Sequence, residues 1–235
     1  MLLCPADYIY NPITPYRQEI FRRLMSEING GDVLDLGCDH VGHYWALGYV
    51  QRVSSYSLYD YNEDSIKKQQ MAIENLSGAE LEAYFSETID FLKEENFVSK
   101  NTSNNALAES MICKFSDCRN FDYLKPKITE TFDSVLAVES LEIVHKREDF
   151  LKGLETVKNL LNPGGQLLTV ILPWDCEDDA VQDRVQKGRE GVWNPDINEI
   201  LSCLSQSGFS DVGHSYYKTL MENYTHAWFI KAKVS

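Results

Sequence analysis

Short apolar segments of strand length alternate with amphipathic segments of helix length along most of this 235-residue chain, and no other feature restricts the fold as strongly. The strand-like runs are residues 32–36, 53–59, 110–115, 132–138 and 167–172. The helix-like runs are residues 17–29, 43–50, 63–76, 148–161 and 197–207. Because parallel strands need a long crossover, usually a helix, this alternation predicts a mostly parallel sheet with helices on both faces. The last two strands, residues 214–220 and 225–234, have only a short connection and should pair antiparallel.

Two further segments lie outside that alternation. Residues 1–30 combine an opening stretch of tyrosines and prolines with a helix whose Ile20, Leu24 and Ile28 share one face. We expect them to form an N-terminal lid segment and helix. Residues 31–235 then form a single α/β domain, with a helical insertion at about 78–108 whose second half is a polar loop.

The composition restricts the partners and the compartment. Asp and Glu number 36 against 22 Lys and Arg; the formal net charge of −14 disfavours nucleic acid, whose phosphates are bound by basic side chains. No apolar run is long enough to span a bilayer, so we expect no membrane partner. The six cysteines lack C-x-x-C spacing, so we expect reduced thiols and a cytoplasmic protein. The five histidines lack a ligand spacing, so we expect no metal site.

Acidic residues mark the ends of the first three predicted strands. Asp35 and Gly37 close the first strand, Asp60 closes the second, and Asp117 closes the third. Taken alone, each acid is typical of a turn or a helix cap. The carboxyl ends of parallel strands meet at one edge of a sheet, however, where α/β proteins bind their ligands. Carboxylates at that edge suit the hydroxyls of a ribose and the amino group of an adenine.

This pattern resembles the class I S-adenosylmethionine-dependent methyltransferases across residues 31–234. The matching text runs from Asp32-Val33-Leu34-Asp35-Leu36-Gly37-Cys38 through Asp60 and Asp117 to Leu161-Asn162-Pro163-Gly164-Gly165 and the terminal strand pair. The resemblance implies a doubly wound, Rossmann-like sheet of seven strands and S-adenosylmethionine as cofactor. It also implies that Asp60 holds the ribose, that Asp117 holds the adenine amine, and that Gly37 admits the methionine part. The other cofactor-site candidates are Tyr16, Asp35, Cys38, Asp39, Tyr61, Asn62, Cys118 and Val138.

The glycine loop departs from that family's pattern. The family has Gly-x-Gly-x-Gly, whereas this chain has Gly37-Cys38-Asp39-His40-Val41-Gly42, with Asp39 at the second glycine. Asp tolerates the left-handed conformation better than most residues, so the turn can survive, and its carboxylate could meet the cofactor's amino group. The alternative is a degenerate loop that has lost its site. A nicotinamide dehydrogenase fits poorly, because two of the three glycines of its Gly-x-Gly-x-x-Gly fingerprint are missing.

A looser resemblance concerns the methyl acceptor. Tyr10-Asn11-Pro12, followed by Tyr16, is similar to the opening segment of the small-molecule amine N-methyltransferases that act on nicotinamide and phenylethanolamine. It implies that Tyr16 reaches the cofactor's carboxylate and that this segment closes over the site. The alternative is that these tyrosines only pin an N-terminal arm to the core. The candidate catalytic residues are Glu139, which follows the fourth strand, and Tyr16; the candidate substrate-binding residues are Tyr10, Glu139, Trp174 and Tyr224.

The function that these observations favour is methyl transfer from S-adenosylmethionine to a nitrogen or oxygen of a small-molecule metabolite. We expect a monomer or a homodimer. Two alternatives remain open: a protein methyltransferase, since a protein substrate requires no basic face, and a non-catalytic cofactor-binding or scaffold protein with a degenerate glycine loop.

Overall fold

The computed structural model describes residues 14–39, 52–75, 77–172, 193–218 and 226–234. The helices of these residues are α1 (Pro15–Glu27), α2 (Glu63–Asn75), α3 (Gly78–Tyr84), α4 (Ser86–Glu94), α5 (Asn104–Cys113), α6 (Arg147–Leu160) and α7 (Ile197–Gln206). The strands are β1 (Gly31–Leu36), β2 (Val53–Asp60), β3 (Phe115–Asn120), β4 (Phe132–Val138), β5 (Leu161–Ile171), β6 (Phe209–Lys218) and β7 (His226–Val234). The chain divides into two compact units, residues 1–120 and 121–235. The helix predicted at 43–50 lies outside the described residues.

The first unit contains three parallel strands in the order β3-β2-β1. Helix α1 precedes them, and its N-terminus is fixed by Thr14, whose hydroxyl accepts from the Arg17 N–H at 3.3 Å. Pro15 at the first helical position favours this start because its fixed φ suits the helix. The predicted apolar face is fully buried at Ile20 and Leu24. Burial of this apolar face stabilises the helix more than the intrinsic helix propensity of its residues does.

Helices α3, α4 and α5 lie between α2 and β3 in the sequence, and α4 is attached to α1. Arg22 of α1 makes a bidentate ion pair with Glu95, with both N···O distances at 2.9 Å. The rings of Phe21 and Phe91 meet edge to face, with their centroids 5.4 Å apart. Because the Arg22 side chain is about one-third exposed (36%), the buried aromatic contact contributes more to this attachment than the ion pair.

The second unit has its four strands in the order β4-β5-β7-β6. Strands β4 and β5 are parallel, with the crossover through α6, whereas β7 runs antiparallel to both β5 and β6. The Asn-Pro-Gly-Gly turn produces an irregularity in β5, where Phe132 pairs with Leu161 but Ser134 pairs with Gln166. Gly164 has φ +75° there, a conformation that glycine adopts without steric cost.

The predicted α/β fold is confirmed: a seven-stranded sheet, mostly parallel, ends in a C-terminal antiparallel pair. The bounds of β1, β2, β4 and α6 agree with the sequence prediction to within about one residue. None of the described helices has the length and hydrophobicity that a membrane crossing requires. The four described cysteines, Cys38, Cys113, Cys118 and Cys203, are free thiols.

The third strand was predicted wrongly. Residues 110–113 belong to α5, and the strand β3 spans Phe115–Asn120. Helix α5 begins at a Ser103 cap, whose hydroxyl accepts from the Ala106 N–H; a short apolar run near a helix end cannot be distinguished from a strand by periodicity. Strand β3 itself is polar and lies at the edge of the sheet, so it lacks the apolar run by which a buried strand is recognised.

Candidate active site

The carboxyl ends of β1, β2 and β3 lie at the same edge of the first unit, and one face of these strands carries several of the predicted site residues. Side chains alternate between the two faces of a strand. The register pairs Asp35 with Leu58, Leu58 with Cys118, and Asp60 with Asn120. Asp35, Asp60, Cys118 and Asn120 therefore share a face.

The Asp60 carboxylate joins two turns of this edge. Its Oδ2 accepts from the Asp39 N–H at 2.7 Å, and its Oδ1 accepts from the Asn62 N–H at 2.7 Å. A carboxylate has about four lone-pair positions, so each oxygen keeps one for a further donor. The two backbone bonds fix the direction in which those positions point. This geometry suits a ligand with two adjacent hydroxyl groups.

The turn after β1 continues the pairing with β2 and then bends sharply. The Gly37 and Cys38 N–H groups both donate to the Tyr59 carbonyl, at 2.7 and 3.4 Å. Gly37 has φ +81° and Asp39 has φ +46°. Asp39 therefore adopts the left-handed conformation in the position where the family has a glycine.

Three hydrogen bonds hold Asp39 in that conformation. Besides its N–H bond to Asp60, its Oδ1 accepts from the Ser65 hydroxyl at 2.8 Å. Its backbone carbonyl accepts from the Gln69 side-chain amide at 3.0 Å. Ser65 and Gln69 are both buried in α2. The Asp39 side chain is thus anchored to α2, and the turn keeps a defined shape without its second glycine.

Asp35 is buried beneath the turn, with 1% of its surface exposed, and accepts a hydrogen bond from the Tyr56 hydroxyl at 3.0 Å. Burial raises the pKa of Asp35 to about 7, against the opposing effect of that bond. Burial likewise raises the pKa of the Cys38 thiol and raises the pKa of Cys118 to about 12. Both cysteines are therefore neutral thiols at physiological pH and are not nucleophiles.

Asp117 does not lie at the end of β3. It pairs with Ser57, three residues before the Asp60–Asn120 level, which corresponds to about 10 Å along the strand. Its side chain lies on the opposite face and forms an ion pair with Arg119, whose guanidinium stacks over the Tyr59 ring at 4.8 Å. Asp117 has a structural partner, and a contact between it and adenine stays a prediction.

The residue that ends β3 is Asn120, which sequence reasoning missed. Its Nδ2 donates to the backbone carbonyls of Tyr61, at 2.6 Å, and Asp60, at 3.2 Å. With both amide protons donated, its Oδ1 is the acceptor that it can offer to a ligand. Asn120 could have been identified from the sequence as the last residue of the third strand, but the strand was predicted too early in the chain.

The turn between β2 and α2 contains two more of the predicted residues. The Asn62 side chain accepts from the Asp64 N–H at 3.0 Å and so caps α2. The Tyr61 side chain is 72% exposed, an unusual position for a large aromatic ring. An exposed ring beside Asp60 is available to pack against a flat ligand.

In the second unit, Val138 is buried at the end of β4 and Glu139 follows it with φ +55°. A left-handed conformation is strained for Glu, and it is maintained here by the bond from the Glu139 N–H to the Val170 carbonyl at 2.8 Å. The Glu139 side chain is partly exposed. Glu142, in contrast, is 2% exposed, and its Oε1 accepts from the Leu172 N–H at 3.4 Å.

The remaining predicted residues divide into two groups. Tyr16 lies in the first turn of α1 with its side chain buried, 4% exposed. Tyr10, Trp174 and Tyr224 lie outside the described residues, as do His40, Val41 and Gly42 of the glycine loop. Among the residues that the structure describes, no group of His, Cys, Asp and Glu side chains is arranged to hold a metal ion.

Comparisons with known proteins concern the family and the fold. A sequence model described as a methyltransferase domain matches residues 11–214. A comparison with curated protein sequences found no match.

Among solved structures, the N-methyltransferase NodS from Bradyrhizobium japonicum, in complex with S-adenosylhomocysteine, has a TM-score of 0.57 at 14% identity; the alignment covers 98% of this chain and 91% of NodS. The methyltransferase domain of bacterial CtHen1 has a TM-score of 0.60 at 12% identity, with 93% and 98% covered. A phosphoethanolamine N-methyltransferase from Haemonchus contortus has a TM-score of 0.59 at 10% identity, with 97% and 54% covered. These TM-scores show a shared fold, and at such low identities the similarity concerns the fold alone.

We expect Asp60→Ala to weaken S-adenosylhomocysteine binding by on the order of 2 kcal/mol, about 30-fold, because the substitution removes the carboxylate that is predicted to accept both ribose hydroxyls. Calorimetric titration measures the change. Asp64→Ala is the matched control: it removes the same charge nearby, from a side chain that is 84% exposed. Equal affinities of the two variants would contradict the role of Asp60.

We expect Asp39→Gly to change S-adenosylhomocysteine affinity by less than about tenfold. The substitution removes the bond to Ser65, worth about 1 kcal/mol, and relieves a left-handed conformation that costs a similar amount. The same titration, run beside Ser65→Ala, separates the two effects. A loss well beyond tenfold in Asp39→Gly alone would identify the carboxylate as a ligand of the cofactor.

Proposed function

The chain belongs to the methyltransferase domain family, and from this premise we propose that it transfers a methyl group from S-adenosylmethionine to a nitrogen or oxygen of a small molecule. It is an S-adenosylmethionine-dependent methyltransferase by family and fold. When bound, this cofactor supplies an electrophilic methyl group on a sulfonium sulfur. The chain's own residues then have to bind it, orient the acceptor and exclude water.

Asp60 is the residue that we assign to the ribose. Its two oxygens each accept one backbone N–H, at 2.7 Å, and each retains an acceptor position for one of the two ribose hydroxyls. Gly37, with φ +81°, supports a cofactor site here because this residue has no side chain where the methionine part of the cofactor would approach. The acceptor oxygens at this edge thus fit the hydroxyl groups of the cofactor's ribose.

Asn120 is the residue that we assign to the adenine amino group. It lies level with Asp60 on the same face, and two bonds from its Nδ2 orient its amide. Its Oδ1 is an acceptor, which is the function that an exocyclic amino group requires. The family resemblance assigns this role to Asp117, whose side chain is engaged with Arg119 on the other face.

The position of Glu139 is the observation that favours a small methyl acceptor with a basic group. The residue follows β4 in a left-handed conformation with a partly exposed carboxylate. Such a carboxylate attracts an ammonium group and can accept a proton from it. The formal net charge of −14 gives a long-range field of the same sign. Two structural neighbours, NodS and the phosphoethanolamine enzyme, are named as N-methyltransferases.

For the adenine contact, we expect Asn120→Ala to reduce S-adenosylhomocysteine affinity by about three- to tenfold, the value of one hydrogen bond, and Asp117→Ala to change it by less than about twofold. The hypoxanthine analogue of S-adenosylhomocysteine has no amino group. It should bind the unmodified protein more weakly than S-adenosylhomocysteine does, whereas Asn120→Ala should bind the two ligands with equal affinity. If Asp117→Ala rather than Asn120→Ala abolishes the discrimination, the assignment belongs to Asp117.

The experiment that tests the function supplies cofactor carrying a labelled methyl group together with three acceptor pools: small amines and hydroxy compounds, proteins, and RNA. We expect label in the small-molecule pool. We also expect Glu139→Gln to lower kcat at least about tenfold while S-adenosylhomocysteine affinity is kept. Glu148→Gln, which changes an exposed acid of the first turn of α6, is the matched control.

Label in the protein or RNA pool alone would overturn the small-molecule proposal and leave the family unaffected. Binding of S-adenosylhomocysteine without transfer to any pool would favour a non-catalytic role. A Glu139→Gln variant with unchanged kcat would remove Glu139 from the acceptor site.

A further inference from the structure

A buried hydrogen bond lies beneath the turn that follows β1. The Tyr56 hydroxyl donates to the Asp35 Oδ2 at 3.0 Å, and the two residues are 2% and 1% exposed. In the register Tyr56 pairs with Val33, two residues before Asp35 on the same face, so its ring runs along the sheet towards the carboxylate. The bond therefore connects the middle of β2 to the end of β1, two residues before Gly37.

Several charged or titratable groups surround Asp35. Among the described residues, Arg17 of α1 favours the ionised carboxylate, whereas Asp60 at the end of β2 disfavours it. The thiol of Cys38 is neutral because burial raises its pKa, and Asp35 adds to that shift. Burial of Asp35 is the largest effect, and the Tyr56 bond is the largest that opposes it. The ionised state of Asp35 thus depends on the Tyr56 hydroxyl.

We propose that Tyr56 is a positioning residue of the cofactor site, which holds the Asp35 carboxylate ionised and oriented beneath the glycine turn for the positively charged part of S-adenosylmethionine. This inference rests on the proposed cofactor site and adds a residue that the family motif does not contain. The physical reason is that an ionised carboxylate attracts the sulfonium and ammonium groups of the cofactor, whereas a protonated one does not.

The affinity for the cofactor should depend on pH because Asp35 releases a proton when it becomes ionised. The ionised form of Asp35 binds the cofactor more tightly, so affinity is full above the pKa of Asp35, about 7 in the ligand-free protein, and falls as the pH decreases below it. A phenylalanine at position 56 donates no hydrogen bond to the carboxylate, so the pKa of Asp35 rises. The pH profile of cofactor affinity should therefore move to higher pH.

The test measures S-adenosylmethionine affinity by calorimetry from pH 5.5 to 9 for the unmodified protein and for Tyr56→Phe. We expect the affinity of the unmodified protein to fall by up to about tenfold per pH unit below neutrality. The Tyr56→Phe profile should be displaced upward by about one pH unit or more, the effect of one hydrogen bond to a charged group.

Two further variants isolate the cause. Tyr59→Phe, the matched control, removes a hydroxyl from a ring that is 1% exposed on the same strand but on the opposite face, and should reproduce the unmodified profile. Asp35→Asn should bind weakly with a flat profile. Carbon-13 NMR of the Asp35 carboxyl in ligand-free protein should show the same upward displacement in Tyr56→Phe.

A Tyr56→Phe profile that coincides with the unmodified one would overturn the proposal, as would a flat profile of the unmodified protein. If the NMR titration shifts as expected but S-adenosylmethionine binds at no pH, the buried pair exists and the cofactor site itself is wrong. That outcome overturns both proposals. A shifted affinity profile with an unchanged Tyr59→Phe profile supports them.

Discussion

The Asp60 carboxylate organises the candidate site, because its two oxygens bind the backbones of two different turns. One oxygen accepts from the turn after β1 at Asp39, and the other accepts from the turn before α2 at Asn62. Neither turn is fixed by strand pairing at that point, so the carboxylate, together with the bonds from Ser65 and Gln69 to Asp39, sets their relative position. The ligand then meets acceptor positions that are already oriented, which reduces the ordering that binding requires.

The altered glycine loop keeps its shape through local hydrogen bonds. A left-handed Asp costs about 1 kcal/mol relative to glycine, and Asp39 makes bonds to Ser65, Gln69 and Asp60 that each contribute about as much. The balance favours an ordered turn. The missing glycine is thus no argument for a lost site, since α2 provides the contacts that hold its replacement.

The sequence predicted the parts of this fold that depend on apolar patterning. Strands β1 and β4 and helix α6 have buried faces, and their periodicity marks them. Strand β3 has a polar sequence at a sheet edge, so the apolar pattern predicts it too early in the chain and predicts its end at Asp117 instead of Asn120. The bonds from Asn120 to Tyr61 and from Tyr56 to Asp35 join distant segments, and no local pattern encodes such contacts. The fold itself does not select the acceptor, because one fold can carry many different functional sites.

The most direct test is calorimetric titration of the unmodified protein with S-adenosylhomocysteine at pH 8, above the value of about 7 to which burial raises the pKa of Asp35. We predict one site per chain with micromolar affinity and a matching rise in thermal stability. An absence of both heat and thermal stabilisation would contradict it, because a correctly formed edge around Asp60 would then bind no cofactor.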